Sequence, residues 1–227
     1  MSGGIRVLTF DVVGTLIDSE AGILDCLRPL TDVEDAVLLD TFARAEGIQQ
    51  QLTPELPFTQ MLEPIYARMA AELGLPEGAP LRESIPNWPA FPDAVEGLCV
   101  LGRRFRLVAL TNVDNWAMAH MAATLGEPFD DAITVEDVGV NKPDQQMFAY
   151  CLGRQSTHGY TKDDCLHVAQ SQYHDIGVAR LLGYRTCWVE RRYGTSGTGA
   201  TPAAAEITTP DYHVTSLAEV VEIFGGA

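Results

Sequence analysis

Positive charge is what this 227-residue chain has least of. Two lysines, Lys142 and Lys162, and thirteen arginines stand against 31 acidic residues, for a formal net charge of −16 at pH 7. Such a surface repels nucleic-acid phosphates and anionic membranes, which removes both from the expected partners. An anionic substrate is repelled at long range too, so it needs a local cationic contact. No apolar run reaches the roughly 20 residues of a membrane-spanning helix. Met1 to Arg6 lacks the basic-then-apolar order of a secretory leader. Cysteine is scarce. Cys26, Cys99, Cys151, Cys165 and Cys187 are odd in number and contain no Cys-x-x-Cys pair. That argues against a disulfide framework or a zinc site and fits reduced, mostly buried thiols in the cytoplasm. Also missing are the spacings of nucleotide-binding loops and the elbow of serine hydrolases. The glycine-rich run from Gly194 to Gly199 has neither pattern and is expected to be a flexible loop.

What is present is ordinary globular composition, 46% hydrophobic and 20% charged. Ile5 to Asp11 is a short apolar run that predicts a buried strand, broken by Gly14. Residues from about Ser19 to Ala71 have helical periodicity, and prolines at Pro76, Pro80, Pro86 and Pro89 follow. From Asp93 the pattern alternates. Helices are expected near 93–103, 116–125, 145–152 and 176–182. Strands are expected at 106–110, around Ile133, at 165–169 and at 185–189. Alternation at this spacing predicts an α/β fold, with a Rossmann-like parallel sheet covered by helices on both faces. The helical block has no strand partners. Residues 18–88 therefore read as an inserted helical cap domain, and residues 1–17 and 89–227 as the core.

Ligands of open parallel sheets bind beyond the carboxyl ends of the strands. The first strand ends in Asp11, with Gly14 and Thr15 behind it. The second ends in Thr111 and Asn112. Asn141 and Lys142 follow the third, and Gln170, Ser171, His174 and Asp175 follow the fourth. A carboxylate nucleophile, a hydroxyl–amide pair, an ammonium and a second carboxylate suit covalent catalysis by a carboxylate. Asp11 is the expected nucleophile, kept ionised by Lys142. Thr111 and Asn112 are expected to hold oxygens of the substrate or of the nucleophile. Asp175 either orients Lys142 or helps to activate a water.

Four segments resemble the motifs of the haloacid dehalogenase superfamily. They are Phe10-Asp11-Val12-Val13-Gly14-Thr15-Leu16, Leu110-Thr111-Asn112, Lys142-Pro143, and the stretch from His167 through Gln170 and Ser171 to Asp175. The finer resemblance is to the type II 2-haloacid dehalogenases and, among these, to the hydrolases that open the ring of L-azetidine-2-carboxylate. Asn87-Trp88-Pro89-Ala90-Phe91-Pro92-Asp93, Trp188-Val189-Glu190-Arg191-Arg192 and Gly199-Ala200-Thr201 carry it.

The resemblance implies an Asp11 ester formed on a small 2-substituted carboxylic acid, with halide or a strained amine leaving and no cofactor. Phosphatases of the superfamily place a second aspartate two residues after the nucleophile and an acid at the start of the fourth motif. Here Val13 and Gln170 occupy those positions, which argues against a Mg2+ site. Arg44 resembles the arginine that the dehalogenases direct at the substrate carboxylate, which a guanidinium grips bidentately. Thr15, Val13, Gln170, Ser171 and His174 complete the expected substrate contacts, with His174 a candidate proton donor to an amine leaving group. Val13, Phe148 and His174 depart from the tyrosine, tyrosine and tryptophan of the dehalogenases. Two alternatives stay open: a Mg2+-dependent small-molecule phosphatase, and a weakly catalytic protein that binds a metabolite. Dimers are common among the resembled enzymes, so a homodimer is the assembly to test.

Overall fold

A computed structural model describes residues 4–78 and 81–226. Pro80 and the first residues of the leader reading lie outside that range. The chain runs β1 (Val7–Phe10), α1 (Ser19–Leu27), α2 (Asp35–Leu52), α3 (Phe58–Leu73), α4 (Leu81–Ser84), α5 (Ala94–Leu101), β2 (Arg106–Leu110), α6 (Asn115–Thr124), β3 (Asp131–Ile133) and α7 (Val135–Val138). It continues α8 (Gln145–Ser156), β4 (Cys165–Ala169), α9 (Gly177–Leu181), β5 (Arg185–Val189), β6 (Tyr212–Val214) and α10 (Leu217–Phe224).

The six strands form one sheet in the order β3-β2-β1-β4-β5-β6, and every neighbouring pair is parallel. Chain order reverses between β1 and β4, the position where a doubly wound sheet opens a crevice. Phe10 lies opposite Ala109 of β2 and Val168 of β4. The carboxyl ends of the three central strands therefore sit level.

Side chains alternate across the sheet, as a strand requires. Leu8 and Phe10 of β1 join the larger hydrophobic layer with Leu98, Leu101, Leu217 and Val220 of α5 and α10. Val7, Val108 and Leu110 join the other with Met147, Phe148 and Val178 of α8 and α9. The larger layer continues into the inserted helices through Leu38, Phe42, Met61 and Ile65. Trp88 is buried there, with its indole N–H donating to Ser84 Oγ. The two connections between helical block and sheet run side by side. Asp18 N–H donates to Pro89 O at 2.8 Å, and Ile17 bridges Ala90.

The helix expected at 93–103 spans Ala94–Leu101. β6 and α10 were not anticipated. β6 is only three residues long, but Ser216 and Glu219 cap α10 in the Ser-x-x-Glu pattern. All five cysteines are free thiols, three of them buried. Among the described residues no helix is long and apolar enough to cross a membrane.

Candidate active site

Four loops, at the carboxyl ends of β1, β2 and β4 and before α8, build one wall. Asp11 immediately follows β1, and its Oδ2 accepts from Thr15 Oγ1 at 2.6 Å. The turn that brings Thr15 back needs Gly14 at φ +80°, a conformation costly for residues with a Cβ. Thr15 Oγ1 in turn accepts from Gln170 N at 2.9 Å, tying β1's loop to β4's. Lys142 is buried, and its Nζ donates to Asp11 Oδ1 at 2.8 Å, to Asp175 Oδ1 at 2.7 Å and to Leu110 O at 2.7 Å. An ammonium has three donors, so Lys142 has none left for a ligand. Asn112 holds the lysine's backbone, accepting from Lys142 N at 2.7 Å and donating to its carbonyl at 3.0 Å. Asp175 Oδ1 also pairs with His167 Nε2 at 2.9 Å, and His167 Nδ1 with Thr9 Oγ1 at 2.9 Å.

The electrostatics follow from burial against pairing. Asp175 carries a full burial penalty, but Lys142 and His167 overcome it and hold its carboxyl down at about 2. Burial lowers Lys142's basicity, but the two carboxylates overcome it and raise the lysine above its ordinary value, so it stays an ammonium. Asp11 goes the other way. Burial, helped by Asp175's charge, pushes it above the usual carboxylate value despite Lys142 and Thr15. The sequence expectation that Lys142 keeps Asp11's pKa low is thus reversed, because burial outweighs the pull of the ammonium and Asp175's charge adds to it.

The opposite wall comes from the inserted helices. Ser19 and Ile23 of α1, Phe42 and Glu46 of α2 and Phe58 of α3 line a cavity of about 50 Å³ that Asp11 and Lys142 also line. Water needs about 10–15 Å³ on that measure, so the space suits a molecule of a few heavy atoms. Glu46 was not singled out from the sequence. It is 5% exposed and has no ion pair among the described residues. Burial, then the charge of Asp11, raises its carboxyl to about 8. Gln50, one turn on, donates to Glu46 Oε1 at 3.5 Å and accepts from His174 Nε2 at 3.0 Å. Nδ1 of His174 accepts from Ser171 Oγ at 3.2 Å. The single N–H of a neutral imidazole is therefore spent on Gln50. Burial drives His174 down to about 4, so it is neutral near pH 7. These bonds leave His174 without a proton for a leaving group.

Val13, Thr111, Asn112, Gln170, Ser171 and His174 line the same cavity. Thr15 and Asp175 stand behind it and act through Asp11 and Lys142. Thr111 Oγ1 is buried and has no partner among the described residues. His174 and Asp175 are set by a π-helical turn, Gln172–Ile176, capped by Ser171 Oγ. Such turns are frequent at functional sites.

Arg44 is not brought to the cavity. Two residues along a helix is a rotation of roughly 200°, so Phe42 facing inward sends Arg44 outward. There it pairs with Asp40 at 3.0 Å and Glu72 at 2.9 Å, about half exposed. The stripe 38, 42, 46, 50 on one face was the available signal for Glu46. Arg191, quoted earlier only for its resemblance, donates from Nε and Nη2 to Thr15 O at 3.0 and 2.9 Å and pairs with Asp93 at 2.8 Å. It thereby braces the loop that holds Asp11. The run expected to be flexible is pinned at its flanks. Glu20 accepts from Arg192 Nη1 at 2.5 Å and from Ala200 N at 3.2 Å, and Ala200 and Thr201 reach the cavity.

Beside Asp11, the positions where the phosphatases place their further acids offer Val13 and the amide of Gln170. Among the described residues no three His, Cys, Asp or Glu side chains are grouped to hold a metal. This donor set does not fit a hard dication.

A profile of the haloacid dehalogenase-like hydrolases matches residues 5–183. The chain is 28% identical over 230 residues to an (S)-2-haloacid dehalogenase of Pseudomonas sp. (strain YL), covering 97% of this chain and 94% of that one. It is 30% identical over 137 residues to a phosphoserine phosphatase of Thermus thermophilus, covering 59% and 51%. Its fold matches that of an L-2-haloacid dehalogenase from Xanthobacter autotrophicus, solved with chloropropionic acid covalently bound. The TM-score is 0.79 at 19% identity, over 98% of this chain and 99% of that one. With the profile spanning most of the chain and the motif residues gathered at the strand ends, the protein belongs to the haloacid dehalogenase-like hydrolases.

Proposed function

We propose that the protein is a metal-independent hydrolase of small 2-substituted carboxylic acids, acting through an ester on Asp11 and expelling halide or a strained ring amine. One observation carries the reading. Asp11 faces a small cavity with both oxygens oriented, by Thr15 and by the Lys142 ammonium. An Asp11 oxygen displaces the group on the α-carbon in line. Water then attacks the Asp11 carbonyl carbon and releases the 2-hydroxy acid. Lys142 remains protonated beside Asp11 and stabilises the negative charge that returns to it in the second step. Asp175, held at about 2, is a weak base and serves to position Lys142. Thr111 Oγ1 is the free hydrogen-bond donor for the substrate carboxylate. Residues 18–88 act as a cap that closes the site.

Several comparisons support this reading: the (S)-2-haloacid dehalogenase that matches nearly the whole chain, the covalently bound acid in a protein of the same fold, and Val13 and Gln170 at positions where magnesium chemistry calls for acids.

The test is turnover of 2-chloropropionate and L-azetidine-2-carboxylate in EDTA, with a phosphate monoester and Mg2+ in parallel. Release of chloride or ring-opened amine in EDTA is expected. Asp11→Asn should abolish it, by at least about 10⁴-fold, while the protein stays folded. Wild-type rates in Asp11→Asn would remove the covalent mechanism, and phosphate release only with Mg2+ would favour the phosphatase.

A further inference from the structure

The cavity has a proton-bearing acid that the displacement of halide does not use. We propose that Glu46 is the general acid facing the leaving group, and that it matches the site to a leaving nitrogen, which must take up a proton, in preference to halide. The proposal rests on the Asp11 reading and adds to it a residue and a leaving-group class.

Glu46 sits on α2, on the wall that comes from the inserted helices. Its Oε1 receives only the long bond from Gln50, and Oε2 has no hydrogen-bond partner among the described residues. The charged and titratable groups facing it are few. Asp11 comes from the β1 loop and Lys142 from the loop before α8. His174, with Asp175 behind it, comes from the turn after β4. α1 and α3 present only Ser19, Ile23 and Phe58. Lys142 is saturated by Asp11, Asp175 and Leu110 O, His174 is neutral, and Arg44 lies outside. Asp11 and Asp175 share one ammonium, so the cluster holds more carboxyl groups than cations. A third carboxyl group beside it holds its proton, because burial, then the charge of Asp11, raises Glu46 to about 8. The same field disfavours an expelled anion and favours a basic nitrogen.

The chemistry balances. With the ring nitrogen bound as the free base, an Asp11 oxygen forms a bond to the α-carbon as the carbon–nitrogen bond breaks, and the Glu46 proton passes to nitrogen. That leaves one ester that carries the opened amine on its own chain, and a Glu46 carboxylate. Water then attacks the Asp11 acyl carbon and the acyl–oxygen bond breaks. One water proton ends on the 2-hydroxyl and the other returns to Glu46. Acid in one step and base in the next is the usual economy of a single carboxyl group.

Glu46→Gln keeps the size and removes the proton. It should lower ring opening of L-azetidine-2-carboxylate at least 100-fold, and chloride release from 2-chloropropionate less than 10-fold. It should also abolish an alkaline limb near pH 8 in the wild-type profile for the amine substrate. Equal losses on both substrates, or an alkaline limb that survives, would overturn the assignment. If wild type turns over neither substrate, the Asp11 reading has failed and the Glu46 assignment falls with it; turnover by wild type with equal losses in Glu46→Gln overturns the Glu46 assignment alone.

Discussion

The two walls of the cavity handle charge in opposite ways. On the sheet side, Asp11, Lys142, Asp175 and His167 form a cluster in which the ammonium's every donor is taken and the pairing keeps Lys142 and Asp175 charged. Across the cavity, Glu46 and Gln50 of α2, with His174 of the turn after β4, are equally buried but neutral, joined by hydrogen bonds. Burial is the same and partners differ. Where pairing outweighs burial, as at Asp175 and Lys142, the group keeps its charge, and where burial prevails, as at Glu46 and His174, it gives the charge up.

The sharpest way to break that contrast is Lys142→Met. It strands two buried carboxylates, and removing one partner of such a cluster costs on the order of 3–5 kcal/mol. Urea unfolding should show that loss together with absent turnover. A midpoint near wild type would mean that Asp11 and Asp175 share a proton instead. Next in size is acid stability. The folded value of Asp175 is depressed to about 2 from 3.8, so its contribution is present above about pH 4 and lost as the pH falls through 2. Asp175→Asn should flatten that part of the stability–pH curve, and an unchanged curve would relocate the acid transition.

Glu46 has the opposite sign. Its folded value is raised to about 8 from 4.5. The native state therefore holds a proton that the unfolded chain releases in between. That contribution is full below pH 4.5 and is lost as the pH rises to 8, by at most about 1.4 kcal/mol per pH unit. Melting temperatures of wild type and Glu46→Gln should move apart in the variant's favour from pH 5 to 8, then run parallel. A constant gap would place Glu46 among ordinary carboxylates. Smallest of all is Arg44→Ala. An exposed pair is worth about 0–1 kcal/mol, and KM for 2-chloropropionate should change less than twofold. A tenfold rise would return Arg44 to the substrate.

The same division explains what could be read from the sequence. The sheet-side wall is made of residues that directly follow strands. Asp11, Thr111 and Gln170 could be placed from strand ends alone, because parallel strands in register bring those ends level. The helical wall depends on which way α2 is rotated. That rotation follows from Leu38, Phe42, Glu46 and Gln50 recurring every four residues, but only packing against the sheet shows that the polar half of the stripe reaches Asp11. Arg44 was chosen by resemblance, and its position two residues from Phe42 already turned it outward. His174 was visible as a residue type. Its lack of a proton to give depends on Ser171 and Gln50, and Gln50 is 124 residues away in the chain.

The run of hydrogen bonds from Ser171 through His174 and Gln50 to Glu46 crosses from the sheet to the inserted helices. Any separation of α2 from the turn after β4 breaks it at the Gln50–His174 link and admits water to Glu46. A solvated glutamate binds its proton far less tightly near neutral pH. Opening thus sheds close to one proton and closing takes one up, so helix position can be counted in a weakly buffered solution as the movement of an indicator dye.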